Sequence, residues 1–263
     1  MTDKQSRHPV AASAASTKFA SETLAGLDRL GIEPVVIGGW AVRLYGSPVF
    51  SIDLDILMRP WEQGEYEIYD FIHERTDHHK SAYEDSYLET KGFDEPNRLW
   101  VTGESFIPGE LLNRYGTEHR SVDADGYTIA ALVPKPKALA FMKVKAMLNR
   151  ANKLNALRDR MRLVSLDEMD REQIEGISED FMVRKVAKDI VDIAYLLSKH
   201  TTVDEIQEVV DYVHFGAAMA KLVSLLDEEL YDEADRIVEE QGLELHCRDL
   251  VLPLLTGLGA AES

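Results

Sequence analysis

Apolar positions along the chain follow two spacings, and the place where one gives way to the other divides the sequence. Residues 1–16 are small and polar with no apolar stripe, and read as a disordered tail. From Thr17 the spacing becomes helical: Phe19, Leu24, Leu27 and Leu30 recur about every three to four residues, and Gly31 is a natural stop. The short β-branched run Val35-Val36-Ile37 reads as a strand that ends in Gly38-Gly39. A short helix from Trp40 to Tyr45 should follow, closed by Gly46. Ser51 to Leu57 alternates strictly, which predicts a strand. Residues 65–75 read as an amphipathic helix packing through Tyr66, Ile68, Tyr69 and Ile72, and Arg98–Val101 and Tyr127–Leu132 as further strands.

The character changes at Pro134-Lys135-Pro136. Beyond it the pattern is helical, with segments near 137–155, 182–198, 204–213, 216–240 and 246–256. Strand-rich sequence followed by helix-rich sequence predicts an α+β protein. The expected parts are a small mixed-sheet core over residues 17–135 and a mainly helical domain over 136–263.

Composition narrows the function. With 29 Lys+Arg against 47 Asp+Glu, the net charge of -18 opposes indiscriminate binding to DNA or anionic membrane. No apolar run approaches the ~18 residues of a membrane span. The N-terminus has no continuous apolar region of the secretory type, so a cytoplasmic location is expected. The single cysteine, Cys247, excludes a disulfide framework and a cysteine-ligated zinc site, and reads as a small core residue. His78 and His79 are adjacent, point differently and make a poor metal pair.

Asp53 and Asp55 are two apart on a predicted strand, so their side chains share a face, with Ile52, Leu54 and Ile56 on the other. Two neighbouring carboxylates repel each other, and a divalent cation such as Mg²⁺, which prefers hard oxygen ligands, relieves that repulsion. An isolated D-x-D in an acidic chain reads equally as the solvent face of an edge strand. Its context is what matters. Gly38-Gly39 lies where a strand meets a helix, where backbone N–H groups can approach a phosphate.

The stretch Gly38-Gly39-Trp40-Ala41-Val42, with thirteen residues between Gly39 and Asp53-Leu54-Asp55, resembles the DNA polymerase β-like nucleotidyltransferase superfamily. Its wording is similar to antibiotic nucleotidyltransferases and to AbiEii-type toxin nucleotidyltransferases. The resemblance covers residues 35–57. It implies a nucleotidyltransferase core, with Asp53 and Asp55 as catalytic metal ligands for Mg²⁺ and Gly38 and Gly39 against the phosphates of a nucleoside triphosphate. The chain departs from the family where an arginine usually precedes the first aspartate, reading Val49-Phe50-Ser51-Ile52 instead. For the family's third carboxylate, Glu104, Asp123 and Asp125 are the candidates.

Residues 135–162 hold nine basic residues and one acidic residue, a local excess of positive charge in an acidic chain. Such a run is a solvated helix face or a phosphate-binding surface. Within it, Lys143, Ala146 and Arg150 match the K-x-x-A-x-x-x-R pattern of AbiEii-type proteins, and Lys188-Asp189-Ile190-Val191-Asp192 matches their K-D-x-x-D pattern. The resemblance implies that Lys143 binds nucleotide, with Arg150, Lys188, Asp189 and Asp192 framing the site. The leading expectation is transfer of a nucleotide to an acceptor, RNA if the protein is toxin-like, with a cognate antitoxin as partner. The alternatives are a small aminoglycoside-like acceptor, a non-catalytic nucleotide- or RNA-binding module, and a purely structural member of a toxin–antitoxin pair.

Overall fold

The computed structural model describes residues 9–57, 76–79, 87–90, 98–102, 106–163 and 179–259. The expected helix over 65–75, its packing face, and Glu104 lie outside them. The chain divides into two units, Met1–Lys135 and Pro136–Ser263.

The first unit begins with helix α1, Pro9–Arg29. This corrects the expected tail over residues 9–16: Ser16 is fully buried. Its Ala- and Ser-rich sequence carries no apolar stripe, and the partners that bury it are remote in sequence. Gly31 follows α1 in the left-handed region, at φ 72°. The chain then forms β1 (Val35–Ile37), α2 (Gly38–Leu44) and β2 (Leu54–Leu57). Next come β3 (Thr76–His79), β4 (Tyr87–Thr90), β5 (Arg98–Thr102), α3 (Phe106–Tyr115), β6 (Thr117–Ala124) and β7 (Tyr127–Pro134). The strands form one mixed sheet in the order β3-β4-β5-β2-β1-β7-β6. β2 lies at its centre, parallel to β5 and antiparallel to β1, and β1 runs parallel to β7 on its other side. Val35, Val36, Leu54, Ile56, Trp40, Ala41 and Val42 are buried and form the core around β1 and α2.

β2 starts at Leu54, three residues later than the alternation predicted. Ile52, expected on the apolar face with Leu54 and Ile56, is therefore 48% exposed. Strand β6 and helix α3 have no counterpart in the sequence reading. The β6–β7 hairpin turns at Asp125-Gly126, both with positive φ, the conformation a tight two-residue hairpin turn requires.

The second unit is helical: α4 (Pro136–Leu163), α5 (Glu179–Lys199), α6 (Val203–Tyr212), α7 (Gly216–Leu225), α8 (Glu228–Glu240) and α9 (Cys247–Gly259). α5 is its axis, buried through Val183, Val186, Ala187, Ile190, Ile193, Ala194 and Leu196, with α4 and α8 packed on it. Cys247 is a buried core residue, and burial pushes its thiol up to about 12. The single helix expected over 216–240 is two. Leu226 is extended, and Asp227 caps α8 by accepting from the Leu230 N–H. Arg158 of α4 reaches the same carboxylate at 2.8 Å, and also pairs with Glu179 and Glu229.

The cap generates a test. Asp227→Ala should lower the unfolding free energy by about 1 kcal/mol in urea titrations, whereas Asp227→Asn, an equally good cap, should cost only tenths. Equal losses would assign the effect to the Arg158 ion pair instead.

Candidate functional site

The glycine pair and the D-x-D stretch meet through the β1–β2 ladder. Antiparallel register sets Ile37 opposite Asp55, and Gly38 follows directly as the first residue of α2. Gly38 has φ 67°, which side-chain-bearing residues rarely adopt. Its missing side chain leaves room for the Asp55 carboxylate. A Cβ at Gly38 would overlap Asp55 Oδ2 and stand 2.9 Å from its Cγ and 3.2 Å from its Cβ. Asp55 is half-buried between fully buried Leu54 and Ile56. Asp53, just ahead of the strand, is half-buried as well.

The backbone leading into Asp53 is held by hydroxyls. The Ser16 hydroxyl donates to the Ser51 carbonyl at 2.9 Å, and the Ser51 hydroxyl to the Asp53 carbonyl at 3.2 Å. β5 lies on the other side of β2, in parallel register, with Trp100 beside Asp55. β5 reads Arg-Leu-Trp-Val-Thr, so the neighbouring strand brings no third carboxylate.

Asp123 and Asp125, two candidates for that carboxylate, flank and form the β6–β7 turn. Asp123 accepts from the Thr128 hydroxyl at 2.6 Å, and Asp125 from the Thr17 hydroxyl at 2.7 Å. Asp125 also faces Arg43 of α2 at 3.7 Å. Arg43 was not singled out in the sequence. Burial pulls its guanidinium below the ordinary value, only partly countered by Asp125. It stacks 4.7 Å over the Trp40 ring. Trp40 Nε1 and Arg43 Nη1 are buried donors without an acceptor among the described residues. Tyr45, at the end of α2, donates to Glu118 and to the Pro134 carbonyl, both at 2.9 Å, and burial, helped by the bond to Glu118 and its charge, raises its pKa.

The other residues implied by the resemblance gather between α4 and α5. Lys143 Nζ lies 2.7 Å from Asp192 and 3.2 Å from Asp189. Arg150 pairs with Asp189, and Lys188 with Asp192 at 3.4 Å. Lys143 is 5% exposed and both aspartates 1%, so this is a buried ionic cluster. It holds three cations and two anions, and the electrostatics reflect the surplus. Burial pushes the Lys143 ammonium down, but Asp192 and Asp189 more than offset it, leaving its pKa raised. Burial likewise opposes ionisation of Asp189, yet Arg150 and Lys143 hold its pKa below the ordinary value. Lys188 is lowered by burial and by repulsion from Lys143 and Arg150, against the pull of Asp192 and Asp189.

The donor set suits Mg²⁺ in part. Two half-buried carboxylates two residues apart offer hard oxygen ligands, and the missing side chain at Gly38 gives the Asp55 carboxylate room beside the turn. Among the described residues no group of three or more His, Cys, Asp or Glu is placed to hold a metal by itself. Mg²⁺ ordinarily completes its shell with substrate phosphates and water, which matches a two-carboxylate protein contribution.

No protein-family model matches the chain, and no curated protein matches it. Among solved structures, it is similar to an antigenic nucleotidyltransferase-like protein from Paracoccidioides brasiliensis, at 13% identity, covering 91% of this chain and 95% of that one, with a TM-score of 0.41. It is also similar to JHP933 from Helicobacter pylori, at 15% identity, covering 94% and 91%, with a TM-score of 0.40. Both likenesses are weak, and neither assigns a role to a residue of this chain.

Two outcomes test this geometry. Gly38→Ala should destabilise more than Gly126→Ala. Both glycines have positive φ, worth about 1–2 kcal/mol of strain with a side chain present, but only Gly38 faces a filled space. Equal losses in urea would show that Asp55 does not pack against Gly38. Asp189→Asn should cost about 1–3 kcal/mol at neutral pH, because it removes one buried counter-charge from Lys143, which keeps Asp192, and from the half-exposed Arg150. Because the folded pKa of Asp189 is depressed, its contribution is complete above the unfolded value of about 3.9 and is lost as pH falls through the folded value. The difference between wild type and variant should therefore shrink below about pH 4. A difference independent of pH would contradict the ionic account.

Proposed function

We propose that the protein is a Mg²⁺-dependent nucleotidyltransferase that moves a nucleotide from a nucleoside triphosphate to an acceptor hydroxyl. The observation that supports this reading is the packing of the Asp55 carboxylate onto Gly38, which sets the second carboxylate of the D-x-D stretch against a sheet-to-helix glycine turn. In this assignment Asp53 and Asp55 hold the metal. The backbone N–H groups of Gly38 and Gly39, at the start of α2 and without intrahelical acceptors, receive phosphate oxygens. When bound, Mg²⁺ neutralises triphosphate charge and favours departure of pyrophosphate. The acceptor oxygen attacks the α-phosphorus, the bond from that phosphorus to the β-bridging oxygen breaks, pyrophosphate leaves with the electron pair, and the hydroxyl proton is released. Little covalent work falls to the protein, so its contribution is positioning and charge.

The acceptor we favour is a small hydroxylated molecule of the aminoglycoside type rather than RNA. The sequence grounds for RNA are the two motifs around Lys143 and Lys188 and the basic run over residues 135–162. Four of its cations, Lys137, Lys143, Arg150 and Arg158, are engaged by carboxylates of their own unit. Charge already matched in this way is not available to a polyanion. Lys143, Arg150, Lys188, Asp189 and Asp192 are assigned to holding α4 against α5.

The test is transfer of labelled nucleotide in Mg²⁺, with aminoglycosides and tRNA as separate acceptors, for wild type and Asp53→Ala. Transfer should be lost in the variant. The variant should melt no lower than wild type in EDTA, since removing Asp53 relieves its repulsion with Asp55. Activity that survives in Asp53→Ala refutes the assignment; label on tRNA alone would reverse the choice of acceptor.

A further inference from the structure

We propose that Ser16 and Ser51 are positioning residues for the Asp53 carboxylate, and that the Ser16-Thr17 step of α1 sets where the metal-binding stretch stands against α2. The inference rests on the functional reading above, since it assigns these residues a role toward the metal site.

Asp53 stands just outside the sheet. β2 begins at Leu54, so the β1–β2 and β2–β5 ladders, whose register reaches Asp55 and Leu54, stop short of it. Side-chain hydroxyls take over where the ladders end. Ser16, fully buried, donates to the Ser51 carbonyl at 2.9 Å and lies 3.3 Å from the Ile52 carbonyl. Ser51, itself buried, passes the restraint on by donating to the carbonyl of Asp53 at 3.2 Å. Residues 51–53 are thus tied to α1 by two hydrogen bonds in series.

Thr17 is the neighbour of Ser16 and is also fully buried. Successive helical residues point about 100° apart, so its hydroxyl meets a different partner, Asp125 at 2.7 Å. Asp125 in turn faces Arg43 of α2, the helix that Gly38 and Gly39 open. One turn of α1 therefore holds the stretch before the first carboxylate and, through Asp125, the helix after the glycines. Ser and Thr inside a helix commonly bond back to the carbonyl one turn earlier. Here both reach acceptors 35 and 108 residues away. A buried hydroxyl forfeits favourable hydration unless it is bonded, so these bonds choose one position for the segments they join.

The probe is Mn²⁺ alone, titrated into the full chain and read by electron paramagnetic resonance, so no acceptor or nucleotide is required. Asp53→Asn serves as the reference for loss of a ligand. Ser16→Ala should weaken Mn²⁺ affinity by about tenfold, the range for outer partners of metal ligands. Thr23→Val, which alters another buried hydroxyl of α1, should leave it unchanged while lowering the melting temperature. Should Ser16→Ala not fold, Ser51→Ala cuts the next bond in the series and should weaken affinity similarly. Wild-type affinity in Ser16→Ala or in Ser51→Ala, with Asp53→Asn still weakened, overturns the positioning role alone. A wild-type chain that binds no Mn²⁺, or whose affinity Asp53→Asn leaves intact, overturns the metal site together with it.

Discussion

The close approach of Asp55 to Gly38 constrains everything around it. A carboxylate packed on a main-chain Cα requires the absence of a side chain, a left-handed backbone at that residue, and a strand register that delivers the acid there. The interior position of β1, paired on both sides, holds that register. The burial of α2 along nearly its whole length holds the helix start in place. Both surfaces of the turn are thereby fixed by the core, and the acid is presented at its edge.

The helical unit solves a different problem. Three cations and two anions lie between α4 and α5, a region where isolated charges are costly. The cluster tolerates burial because each aspartate meets two cations: Asp189 meets Lys143 and Arg150, and Asp192 meets Lys143 and Lys188. The K-x-x-A-x-x-x-R and K-D-x-x-D motifs supply one another's counter-ions. Their spacing follows from helix geometry: Lys143 and Arg150 are two turns apart and grip opposite sides of Asp189.

What the sequence revealed depended on how local each signal was. β1, α2 and β2 were readable because a β-branched run, a glycine pair and an alternating stretch each carry their own mark. β6 was missed because its eight residues include a single large apolar side chain, Val122, and most of the strand is exposed or half-exposed. α3 was missed because Pro108 and Gly109 near its start read as a turn. The part of α1 before Thr17 looked like tail because the bond that Ser16 makes there crosses 35 residues, which no local pattern records. The same remoteness hid Arg43 and its pairing with Asp125. The approach of the D-x-D stretch to the glycine pair was legible in the sequence, whereas the hydroxyls that hold the backbone ahead of it were not.

The most direct test of the central claim is to follow two labels on one substrate. A nucleoside triphosphate carrying radiolabel at the α-phosphorus, or at the γ-phosphorus, is incubated with the protein, Mg²⁺ and a hydroxylated acceptor. The account predicts that α-label joins the acceptor and γ-label leaves as pyrophosphate, both only with Mg²⁺. Transfer of the γ-label to the acceptor, or release of neither label across nucleotides and acceptors, contradicts it.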